Sequence, residues 1–142
     1  MSTTTEQNKT VIRGFLEAWN NRQPEAFDDL IAPDVVRHCQ ATPAIEIRSL
    51  DQLKEFLRQD TAIFPDSRQT LVNMVAEDDF VGVWATYEGT QRGPIGPLPA
   101  SGVKTQFDFG GVFRIADGKI VEWWVTWDNM TILRQLGHMP AN

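Results

Sequence analysis

The sequence is poor in most of the residues that carry specialised chemistry. Its single cysteine, Cys39, excludes an internal disulfide and a thiolate metal cluster, and suits a reducing, cytoplasmic setting. Its two histidines, His38 and His138, lie far apart with no HExxH or carboxylate–histidine spacing, so no metal and no cofactor are expected. Basic residues are the minority, 13 Lys and Arg against 19 Asp and Glu, for a net charge of −6. Such a chain repels nucleic-acid phosphates on average, which excludes a nucleic-acid partner. No apolar run approaches the roughly 20 residues that span a bilayer. The opening MSTTTEQNKT also lacks the apolar stretch of a secretion signal, so no membrane partner is expected. No GxSxG, P-loop or GxGxxG motif occurs. Tyrosine is nearly absent, with one against eight Phe and five Trp. That imbalance points to a large apolar interior or cavity wall rather than to polar contacts.

What remains is one domain over residues 1–142, long enough for its own core. The first half has helical spacing. Val11, Phe15, Ala18 and Trp19 recur at three and four from Glu6 to Asn20, with Thr5 as the expected N-cap. Pro24 opens a short second helix over Ala26, Phe27 and Leu30, closed by Pro33 and Asp34. Val35–Val36 reads as a short strand leading to His38. Ser49 and Gln52 form a capping box before the stripe Leu50, Leu53, Phe56 and Leu57. From Arg68 the period changes. Residues 69–77, 80–91, 103–116 and 119–128 have strand composition, with turns at Asp78-Asp79 and Asp117-Gly118. Residues 92–102 hold three Pro and three Gly, a long loop of the kind that serves as a lid. A last helix follows Asp128 or Asn129 and ends at Gly137. Helices followed by an antiparallel meander predict an α+β fold.

The segments GFLEAWNNRQPEAFDDLIAPDVVRH and FRIADGKIVEWWVTWDNMTILRQLG resemble the SnoaL-like polyketide (ester) cyclases of the NTF2-like superfamily. The resemblance covers essentially the whole chain, and DGKIVEWW, WDN and ILRQLG are its most specific parts. It implies a cystatin-like, cone-shaped barrel in which N-terminal helices pack on a strongly bent antiparallel sheet around a pocket. It also implies ring closure by intramolecular aldol condensation without metal or cofactor. The cyclases' acid/base Asp on the last strand aligns with Val125, and their His on the preceding strand with Gly111; neither residue moves a proton.

If positions 111 and 125 face the cavity, strand alternation adds Phe107, Phe109, Phe113, Val121, Trp123 and Trp127 to its wall. Trp84, Trp19 and Asn20 are further substrate-binding candidates, the last two at family positions near the pocket. A bulge at Gly110-Gly111 would instead turn Asp108 inward. An imidazole suits proton transfer near neutral pH, so His38 is the first candidate, with Asp108 or Asp128 as its partner. Asp128 is equally placed to cap the last helix, and Glu88 is a base if it faces inward. The expected activity is acid/base chemistry on a carbonyl compound bound in an apolar pocket. A non-catalytic carrier of an apolar or aromatic small molecule is the alternative. Trp124 on the outer face of the sheet makes a homodimer the expected assembly.

Overall fold

The computed structural model describes residues 4–140. Helix α1 (Thr4–Asn20) buries Ile12, Phe15, Leu16, Ala18 and Trp19 along one face, and Thr5 lies inside it rather than capping it. A 3-10 turn at Pro24–Asp29 buries Phe27. Strand β1 (Ile31–Cys39) is longer than the Val35–Val36 pair suggests. It accommodates Pro33 where the pairing is irregular, between Ile31 and Val36, so the missing N–H breaks no ladder bond. Helix α2 (Leu50–Ile63) begins at the expected cap, where Ser49 Oγ accepts from the Gln52 N–H at 3.1 Å.

Strands β2 (Arg68–Glu77), β3 (Phe80–Thr90), β4 (Lys104–Ala116) and β5 (Lys119–Thr126) follow, then α3 (Asn129–Gln135). Asp78, Asp117 and Gly118 take positive φ at the two hairpin turns, as Asp-Gly chemistry requires. The sheet order is β1-β5-β4-β3-β2. The last four strands form the expected antiparallel meander, while β1 joins its edge parallel to β5, so the sheet is mixed. Its outer strands do not meet, and the three helices pack against a curved, unclosed sheet.

Register decides which side chains face the helices. Gly110 and Gly111 pair without interruption, with Trp84 and Val83 on one side and Thr126 and Val125 on the other, so they form no bulge. Phe107, Phe109 and Phe113 therefore share the inner face, and Asp108 points outward, where it accepts from Thr86 Oγ1 at 2.9 Å. The irregularity lies instead at Arg114/Ile115. It makes Val121 the extra residue and puts Ile120 in the core in its place.

Two apolar clusters fill the inner face. The larger joins Phe15, Phe27, Phe113 and Trp123 to Ile31, Leu53 and Val81. The smaller joins Phe64, Ala85, Tyr87, Phe109 and Leu136, and Val125 packs against both.

Candidate functional site

Six side chains, on α2, three strands and the segment just past β5, form a closed circuit at the end of the sheet that holds the smaller cluster. The Arg37 guanidinium carbon on β1 lies 4.6 Å from the ring centre of Phe56 on α2, and 5.7 Å from that of Trp127, just past β5. Trp127 meets Phe107 on β4 at 6.3 Å, and Phe107 stacks on Tyr87 on β3 at 5.0 Å. The Tyr87 hydroxyl donates to Asp60 Oδ1 at 2.6 Å. Asp60 stands one helical turn beyond Phe56 on α2, which returns the circuit to its start. All but Tyr87 are half-buried.

Asp60 is the carboxyl group of this circuit. Its second oxygen accepts from Ser67 Oγ at 2.8 Å, and Ser67 is held in turn by Arg22 Nη2 at 2.9 Å. Burial raises the Asp60 pKa above the ordinary carboxylate value. The hydrogen bonds from Tyr87 and Ser67, and the charge of Arg22, offset only part of that rise. Tyr87 moves further: burial and the neighbouring Asp60 charge push its pKa well above that of a free phenol. Tyr87 thus stays a proton donor at every physiological pH, whereas the Asp60 carboxyl is shifted upward from its ordinary value. The indole N–H of Trp19, 4% exposed, makes no hydrogen bond of ordinary geometry. It exerts only a weak pull on the Asp60 carboxyl. Arg37 is shifted too, its pKa lowered by burial and partly restored by the Cys39 thiol beside it.

The sequence candidates scatter around this circuit. Trp127 belongs to it, and Trp19 packs against its Phe56 at 6.0 Å. Phe109 and Val125 lie beneath it on the inner face. Phe113 and Trp123 stand apart, buried with Phe15 at 6.1 and 5.6 Å, and serve as core. Asn20 is spent on a two-way clasp, donating to the Gln69 carbonyl and accepting from its N–H, both at 2.8 Å. Asp128 caps α3 by accepting from the Met130 N–H at 2.9 Å. Glu88 faces outward and pairs with Lys104 at 3.2 Å.

His38 also points to the outer face, because Arg37 takes the inward position on β1. Its ring stacks on Trp124, and Nε2 lies 2.7 Å from Glu122 Oε2. Trp84 is on that face as well, 47% exposed, and lies flat over Gly110, where any Cβ would strike its ring. With Val75, Val112, Trp124 and His38 it lines a shallow groove of about 900 Å³ across the outside of the sheet. The 92–102 loop is tied down at its base. The fully buried Gln91 amide donates to the carbonyls of Gly93 and Pro99, and its oxygen accepts from the Ser101 N–H.

Among the described residues no three His, Cys, Asp or Glu side chains are grouped as metal ligands, and no helix is long and apolar enough to cross a membrane. Three helices packed on a bent, unclosed sheet are the architecture of the SnoaL/NTF2-like cyclases. The SnoaL-like polyketide cyclase family model matches residues 9–136, and the chain belongs to that family. Among solved structures it is similar to TsrD of Streptomyces laurentii, with 28% identity and a TM-score of 0.85 over 97% of this chain and 100% of that one. It is likewise similar to IdmH of Streptomyces antibioticus, a candidate polyketide cyclase, with 30% identity and a TM-score of 0.82 over 92% and 99% of the two chains. An epoxide hydrolase of M. tuberculosis described as LEH-like shares the fold, with 19% identity and a TM-score of 0.75 over 94% and 92%. No curated protein matched the sequence.

Arg37, Phe56, Asp60 and Tyr87 were not among the sequence candidates, although a signal for two of them existed. Asp60 continues the α2 stripe from Leu53 and Phe56 at helical spacing, and Arg37 alternates with the buried Val35.

Proposed function

We propose that the chain is a cofactor-independent acid/base catalyst acting on a carbonyl compound, with Asp60 as the proton carrier. The observation that carries this reading is a carboxyl group raised in pKa by burial and fixed on both oxygens by Tyr87 and Ser67. Asp60 removes a proton from the carbon next to the substrate carbonyl. The resulting enolate attacks a second carbonyl of the same molecule, forming the C–C bond, and the new alkoxide takes the proton back. Tyr87, held protonated, keeps the Asp60 carboxyl aligned through the exchange. This assigns to Asp60 the task that Val125 and Gly111 cannot perform, and His38, Asp108 and Asp128 are left to the outer face and the α3 cap.

The test is carbon-bound hydrogen exchange of β-dicarbonyl compounds in D2O, followed by NMR. Exchange above the buffer rate that falls about 10²–10⁴-fold in Asp60→Asn supports the reading. Exchange at the buffer rate, or unchanged in the variant, removes it in favour of a non-catalytic carrier.

We propose further that two copies associate through the outer face of the sheet. Val75, Trp84, Val112 and Trp124 are all exposed there, 70%, 47%, 42% and 40% respectively, on a face that no helix covers. A contiguous exposed apolar surface of this kind marks an interaction site.

A further inference from the structure

Among the described residues, no carboxylate pairs with the half-buried Arg37. In this acidic chain Arg48, Lys54, Arg58, Lys104 and Arg114 each pair with a carboxylate. Arg22 spends its guanidinium on the carbonyls of Trp19, Asn20, Pro65 and Ser67. Arg37 instead lies over the ring of Phe56 and beside that of Trp127, with the Cys39 thiol as a further partner and no acid among them. Beyond its interaction with Cys39, its hydrogen bond to the Thr42 hydroxyl is long, 3.5 Å from Nη1. A desolvated cation without an acid is costly unless something supplies the opposite charge.

Resting on the reading of this circuit as the substrate site, we infer that Arg37 binds a carboxylate carried by a flat, conjugated substrate. A guanidinium is planar and presents paired N–H groups that match the two oxygens of a carboxylate. The rings of Phe56 and Trp127 orient that donor edge and exclude water from it, which strengthens a charged pair. The rest of the substrate then meets the faces of Trp127 and Phe107, which favours a conjugated over an aliphatic skeleton. Asp60 stands one helical turn from Phe56 on α2 and is held by Tyr87 and Ser67.

The experiment titrates the full chain with 2-naphthoate and with its neutral methyl ester, reading tryptophan fluorescence, in wild type, Arg37→Met, Arg37→Lys and Asp60→Asn. The expected result is a 10-fold or greater preference for the acid in wild type and Asp60→Asn. That preference is abolished in Arg37→Met and partly kept in Arg37→Lys, with all four proteins showing a cooperative thermal transition. Equal binding of acid and ester to wild type, or a preference that survives in Arg37→Met, overturns the assignment and leaves the acid/base reading of Asp60 standing. If neither compound binds wild type, both this inference and the placement of the substrate in the circuit are overturned. If Arg37→Met does not fold, the lysine variant decides, since a preference undiminished there contradicts bidentate recognition.

Discussion

The Tyr87 hydroxyl donates a 2.6 Å hydrogen bond to Asp60 Oδ1, and this contact ties β3 to α2 at the open end of the sheet. It is the one place where the chain's only tyrosine meets a buried carboxyl. Tyr87→Phe removes the donor and leaves the carboxyl with Ser67 alone. The expected cost is about 1–3 kcal/mol in urea denaturation, the penalty for an unsatisfied buried polar group. Because Tyr87 lowers the Asp60 pKa, the same variant should move any Asp60-dependent pH midpoint upward.

Asp60→Asn should separate stability from activity. The folded-state pKa of Asp60 is raised, so its favourable contribution is complete at low pH and is lost as pH rises through that value. Asparagine does not ionise. Thermal melts at a series of pH values should therefore show wild type losing stability relative to the variant from acid toward neutral pH. A difference that stays constant with pH would mean that the carboxyl is not desolvated.

Core and wall can be told apart by truncation. Trp123→Ala should cost about 3–5 kcal/mol in chemical denaturation, since Trp123 packs against Phe15 and Phe113 and is 3% exposed. Trp127→Ala, at a half-buried ring, should cost visibly less while weakening 2-naphthoate binding several-fold. Equal destabilisation by the two would make Trp127 core as well.

The outer face gives a separate prediction. Trp124→Glu places a charge in the middle of the apolar patch and next to Glu122, and should leave a folded monomer in analytical ultracentrifugation. Wild type should sediment as a dimer at micromolar concentration. A monomeric wild type would refute the proposed interface.

The elements were legible because each rests on local rules. The α1 and α2 stripes, the Ser49 and Asp128 caps and the Asp117-Gly118 turn are all written within a few residues of where they act. The family resemblance placed Phe109, Val125 and Trp127 on the inner face correctly, since β4 and β5 keep alternation through Gly110-Gly111. Alternation with Val35 marks Arg37 as inward, but Val36 is apolar too, so the sequence leaves the parity of β1 open and offers His38 equally, which the pleat turns outward. Asp60 continues the α2 stripe by spacing, but spacing alone does not give its role. Its meaning depends on a tyrosine 27 residues away, and one acid near the end of a helix resembles any solvated acid.

The circuit that unites these residues has a kinetic consequence. None of its contacts between elements is local: the Tyr87–Asp60 bond closes a loop of 27 residues, and the Arg37–Trp127 contact joins the first strand to the segment beyond the last. Closures of this length are entropically late events, formed after hairpins and helices exist to reward them. The ligand-binding competence of this protein should therefore appear in refolding with the slowest phase, when β1 docks beside β5, rather than with the burst of secondary structure that precedes it.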